Sequence, residues 1–134
     1  LAAGATPPLL IDTGAYDTHA NWSPDGTKIV FDALVSGTRS DLFVIPSTGT
    51  STMATATRVT SAGMNLFAQF TSDGNGLLFL SDIDHPGMTR MHTANLSPLG
   101  APQVISPGGT NELDPTFDPA FSQVIFASSP TKND

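Results

Sequence analysis

The chain is expected to be all-β and built as β-propeller blades, and three observations predict it. One pattern returns three times without gaps: "NWSPDGTKIVF" (21–31), "QFTSDGNGLLF" (69–79) and "TFDPAFSQVIF" (116–126). They align on Trp22, Phe70 and Phe117 at spacings of 48 and 47 residues, and Phe31, Phe79 and Phe126 keep the same spacings. Second, β-branched and aromatic residues sit between turn signals, with 11 Pro and 12 Gly punctuating the 134 residues, a pattern of many short strands. Third, no stretch carries helical periodicity, and four short strands in roughly 45–50 residues is the size of one propeller blade. A β-sandwich requires no such repeat.

The elements follow in order. Residues 19–22 form a short strand, Pro24-Asp25-Gly26 turns the chain, and residues 28–34 return antiparallel. Asp25 caps the turn through its carboxylate and Gly26 supplies the positive φ that it needs. A polar loop (36–40) leads to "DLFVIP" (41–46), and "ATRVT" (56–60) closes the unit. Residues 67–70, 77–81 and 90–94 repeat the first three strands, and "QVISPGG" (103–109) matches "RVTSAG" (58–63) and "LLIDTG" (9–14). The units are therefore 13–60, 61–106 and an incomplete 107–134, preceded at 7–12 by an outermost strand whose own blade is absent. "DPTFDPAFSQVIFASS" (114–129) supplies the inner two strands of the third unit, with a looser turn that lacks Asp-Gly. Blades pack face to face, so Trp22, Phe70 and Phe117 are each expected to fill the space between neighbours.

Composition narrows the partners. Hydrophobic residues make up 39% and mean hydropathy is +0.01, enough for a real core in one domain. Only 13% of residues are charged, and 17 Thr and 13 Ser carry the polarity instead. A net charge of −7 with five Lys and Arg argues against nucleic acid, which demands clustered cations, and against anionic membrane surfaces. No apolar run approaches membrane-spanning length. The absence of cysteine excludes disulfides, thiolate metal sites and cysteine nucleophiles. A cysteine-free, Thr/Ser-rich, Lys-poor composition points to a periplasmic or extracellular location in the bacterial envelope. The start "LAAGATPP" has neither an initiator Met nor a charged leader region, and reads as that of a mature or excised piece.

"WSPDGTKIVF", continued by "SDLFVIPSTG" (40–49), resembles the propeller repeat of TolB, which also occurs in the propeller domains of prolyl-oligopeptidase-type peptidases. The resemblance covers nearly the whole chain. It is strongest in the first unit and weakest in the third, where "DPAFS" stands in the turn. It implies a propeller, commonly six-bladed, and specifies fold better than function. Closed propellers have about 4–8 blades, so this chain is expected to be an incomplete ring: a fragment, or one subunit of a larger propeller.

In propellers, ligands usually meet the loops that enter the innermost strands. Asp17, Asn65 and Glu112 lie five residues before each anchor aromatic, and His19, Phe67 and Asp114 lie three before it. Asp17, His19, Asn65, Glu112 and Asp114 are therefore the candidates for a polar funnel, and Asp17, Glu112 and Asp114 carry the hard oxygens a cation requires. The competing and stronger reading makes each a local backbone cap. "SDIDHPG" (81–87) gathers Asp82, Asp84 and His85 into a solvated loop, and His92 is expected to be a half-buried, hydrogen-bonded core histidine. Asn21-Trp22-Ser23 and Asn95-Leu96-Ser97 match the glycosylation acceptor, the first inside a buried hairpin.

No catalytic residue and no cofactor is expected: there is no Gly-x-Ser-x-Gly elbow and no phosphate-binding glycine loop. The leading expectation is a non-catalytic protein–protein interaction or scaffold module, engaging a protein partner or other copies of itself through open blade edges. The alternatives are the propeller portion of a larger enzyme, hydrolase-gating or lyase-type, and a self-assembling structural block.

Overall fold

A computed structural model describes residues 10–106 and 108–130. Those residues form ten strands and no helix. The first sheet orders β1 (Asp17–Trp22), β2 (Lys28–Ser36), β3 (Arg39–Pro46) and β4 (Thr57–Arg58). The second orders β5 (Asn65–Phe70), β6 (Gly76–Ser81), β7 (Arg90–Asn95) and β8 (Gln103–Val104). β9 (Thr110–Phe117) and β10 (Val124–Pro130) pair as a third, two-stranded sheet. Every pairing is antiparallel between consecutive strands, which is the order the sequence pattern predicts. The chain is thus a set of open propeller blades. Of the expected strand at 7–12, Pro7 to Leu9 lie outside the described residues. Leu10 and Ile11 cross the first blade without forming a ladder, with the Leu10 carbonyl accepting from the Ser51 N–H at 2.7 Å.

The pleat assigns each side chain to a face. Val30, Leu42, Val44 and Val59 of the first blade pack on Ala68, Phe70, Leu77, Phe79 and Ala94 of the second, sealing one inter-blade core. The second blade's other face, Leu78, Leu80 and Met91, receives Phe67, Phe117 and Val124. The first blade's remaining face holds Ile29, Phe31, Ala33, Phe43 and Ile45, against which, among the described residues, Leu10, Ile11 and Ala56 pack.

This arrangement corrects the reading of Trp22. It pairs with Ile29 as Phe70 pairs with Leu77, so both aromatics look toward the preceding blade. A blade lies over Phe70, which is 2% exposed, whereas none of the described residues forms a blade over Trp22, which is 63% exposed. On the last sheet Ile125 is 65% exposed, because it occupies the position of Val30, whose cover is the following blade.

The first-hairpin turns repeat as expected, with a substitution in the third. The Ser23 hydroxyl donates to Asp25 and accepts the Lys28 N–H, and Thr71 does the same with Asp73 and Gly76. In the third hairpin Asp118 alone accepts from the N–H groups of Ser122 and Gln123. Phe121 there takes the left-handed φ of 54° that Gly26 and Gly74 hold at 71° and 68°. A single carboxylate takes the N–H groups that Ser23 and Asp25 share in the first unit, so the turn is held rather than loose.

These turns make stability depend on acid. The Ser23 hydroxyl, with the N–H and hydroxyl of Thr27, lowers the exposed Asp25 carboxyl from 3.8 to about 2. Thr71 lowers Asp73, and the Gln123 N–H lowers Asp118. A depressed folded-state value means that the stabilisation is present above the ordinary carboxylate value and is lost as pH falls through the lowered one. Thermal midpoints are expected to fall between about pH 4 and pH 2, and Asp25→Asn is expected to lose part of that dependence. Equal pH profiles for the variant and the parent chain would rule the turn out as its source.

Candidate functional site

The innermost strand of each blade contains the same irregularity. In β1, β5 and β9 two residues oppose one on the partner strand, and a non-glycine residue there takes a left-handed φ: His19 at 49°, Phe67 at 57° and Asp114 at 47°. Such bulges re-aim side chains and collect at functional sites. The three residues differ in type, so the sequence carries no sign of the bulge. Their spacing from the anchor aromatics had already marked all three positions.

His19 is the most organised of the row. Asp32, buried on β2, accepts from His19 Nδ1 at 2.9 Å and from the Thr18 hydroxyl at 2.5 Å. A carboxylate partner requires the proton on Nδ1, so the ring is fixed in tautomer and orientation. The imidazole lies against Phe67 of the next blade, with ring centroids 3.9 Å apart. With Asp17 and Thr18, His19 forms the polar wall of a groove of about 410 Å³ whose apolar wall is Leu10, Ile11, Ala20, Ile29, Phe31 and Ile45. Asp32 was not anticipated, because a single Asp inside an apolar strand carries no spacing signal.

The remaining sequence candidates separate. Asn65 is fully buried between blades, where it donates to the Ser40 carbonyl at 2.7 Å and to the Ala62 carbonyl at 2.8 Å, and accepts from the Ser81 hydroxyl at 2.8 Å. Glu112, 1% exposed, accepts the Met91 N–H of the second blade at 2.6 Å. Both tie one blade to the previous one. Asp17, their counterpart in the first blade, is exposed and accepts from the nearby Thr13 hydroxyl at 2.5 Å. Asp114 is exposed on β9. Asp17, Glu112 and Asp114 are not brought together, and no group of three or more His, Asp or Glu that could hold a metal occurs among the described residues.

In the 81–87 loop Asp82 accepts from the Met64 and Gly87 N–H groups. Gly63 has a φ of 75°, and a Cβ there would come within 2.9 Å of the Asp82 carboxylate. Asp84 pairs with Arg90 and with His92 Nε2, while His85 is exposed. His92 is fully buried rather than half-buried, because its ring lies against Phe79 in the blade interior.

A second row of ties escaped the sequence reading. Asn21 donates to the Ala68 carbonyl at 2.9 Å and Gln69 to the Pro115 carbonyl at 2.5 Å. Both stand immediately before an anchor aromatic, and Thr116 shares that position. A polar residue there in every unit was the available signal. The Asn21 amide is therefore engaged within the fold rather than presented for glycosylation.

No protein-family model matches the chain, and no curated protein matches it. Solved structures do. The chain is similar to TolB from Acinetobacter baumannii at a TM-score of 0.59 and 18% identity, covering 78% of this chain and 25% of that one. It is similar to putative TolB from Agrobacterium tumefaciens at 0.53 and 19%, covering 91% of this chain and 58% of the other. The chain thus spans a quarter of the first structure and little more than half of the second, and the fold is of the TolB propeller type.

Proposed function

We propose that this chain is a non-catalytic protein-interaction module of the bacterial envelope or extracellular space, which docks a protein partner against the open face of its first blade. The observation that carries the reading is Trp22. It stands 63% exposed at the position where Phe70 is sealed, and its cross-strand partner Ile29 lines a groove of about 410 Å³ with an aliphatic wall. Contiguous exposed apolar surface of this kind marks interaction sites. A cysteine-free, Thr/Ser-rich composition supports the location.

The internal repeat describes the partner's shape. The corresponding face of the second blade receives Val30, Leu42 and Val44, an aliphatic ladder on an antiparallel hairpin. A second copy carries such a surface on β9–β10, where Ile125 and Leu113 are exposed. The two faces differ, so the contact is head-to-tail. Light scattering on the eluting 134-residue chain is expected to give a mass above that of the monomer at micromolar concentration. Ile125→Lys is expected to reduce it, since a charge on an exposed position opposes docking more than folding. A compact, cooperatively melting monomer would overturn self-association, and failure of the Trp22 face to protect from solvent exchange in any complex would overturn the docking site.

A further inference from the structure

The chain has only five Lys and Arg, and two of them converge on one cleft. Arg39 opens β3 and Arg58 lies on β4, flanking Asp41, whose side chain is fully buried. Arg39 donates to Asp41 through Nε at 3.3 Å and Nη2 at 2.7 Å. Arg58 donates to the same carboxylate through Nη2 and to the Thr60 carbonyl through Nε at 3.0 Å. Both arginine side chains remain partly exposed, at 35% and 44%. Two cations against one carboxylate leave a net positive charge, and neither Nη1 group donates to a described residue. Together with Val35, Ser36, Phe43 and Met53 they line a cleft of about 480 Å³.

We infer that this cleft is a binding site for a carboxylate carried on an apolar body. A planar guanidinium matches a carboxylate in fork geometry. The Asp41 contacts hold both forks in place before a ligand arrives, so little side-chain entropy is lost on binding. Val35, Phe43 and Met53 supply apolar walls for the ligand's body. An isolated surface arginine would lack both features. On a chain of net charge −7, locating two of the few cations together is an arrangement that solubility does not require. The site lies on the same blade face as the groove above, toward the outer strands β3 and β4, and does not rest on the docking reading.

Two sources present this chemistry: a free organic acid, and the terminal carboxylate of a peptide. Ligand-observed saturation-transfer NMR on the full chain compares hexanoate with hexanol, and the peptide acetyl-Ala-Val-Leu as the free acid with its amide. Hexanoate or the peptide acid is expected to bind at least about tenfold more tightly than its uncharged counterpart. Arg58→Gln is expected to remove about tenfold of that affinity, Arg58→Lys to restore part of it, and Lys28→Gln to leave it unchanged. Arg39→Gln serves as a second variant if Arg58→Gln melts early. Tighter binding of hexanoate assigns the site to free acids, and tighter binding of the peptide acid assigns it to chain termini. Equal binding of charged and uncharged probes, no binding of either acid, or full affinity in a folded arginine variant would overturn the inference. The mass of the chain, measured in parallel, separates that outcome from failure of blade docking.

Discussion

Phe70→Ala is expected to lower the unfolding free energy by about 3–5 kcal/mol, the range for a large aromatic removed from a packed core. Trp22→Ala, at the same position of the preceding repeat, is expected to cost less than about 1 kcal/mol in the dissociated chain. By residue size alone the order would be reversed. Phe70 is enclosed by Leu77 and Phe79 of its own blade and by Val30, Leu42 and Val44 of the first, so truncation opens a cavity that rigid sheets on both sides cannot close. Trp22 is 63% exposed, and its removal opens no cavity. Denaturant titration of both variants decides the matter. A loss of 3 kcal/mol or more for Trp22→Ala would mean that another surface covers it in solution, which links this measurement to the docking reading.

The polar ties are expected to divide in the same way. Asn65→Ala leaves the Ser40 carbonyl and the Ser81 hydroxyl without their partner inside the blade interface. Each unsatisfied buried group costs about 1–3 kcal/mol, so the variant is expected to lose about 3 kcal/mol. Asn65→Asp is expected to be worse, because it turns a carboxylate toward the Ser40 and Ala62 carbonyls that now accept the Asn65 amide. Asp17→Ala, five residues before its own aromatic, is expected to change stability by no more than about 0.5 kcal/mol, since that side chain is exposed. Comparable losses at the two positions would refute the assignment of Asn65 as an inter-blade tie.

Much of the architecture is legible from local chemistry. Alternating β-formers define strands, Pro-Asp-Gly and Ser-Asp-Gly define tight hairpins, and a hairpin forces its two strands to pair. The register Trp22↔Ile29 and Phe70↔Leu77 follows from those turns with no long-range information. The acidic turn at 118 was less visible, because one Asp performs there what two residues do elsewhere.

The site was only partly legible. Repeat spacing picked out His19, Phe67 and Asp114, yet the positive φ they share has no residue signature when the three side chains differ. Likewise, Arg39, Asp41 and Arg58 form one cluster only because β4 folds back beside β3, which brings together residues separated along the chain.

The sequence by itself determined the repeat, the hairpins and, outside the bulges of β1, β5 and β9, the face on which a side chain lies, because all three depend on neighbours a few residues away. The tertiary structure decided which of those faces is covered. Trp22 and Phe70 have equivalent local environments, as do Asp17 and Asn65, and a blade rests on only the second of each pair. Burial belongs to the contact between sheets rather than to the residue, and so the same motif yields a core anchor in one unit and an exposed aromatic in another.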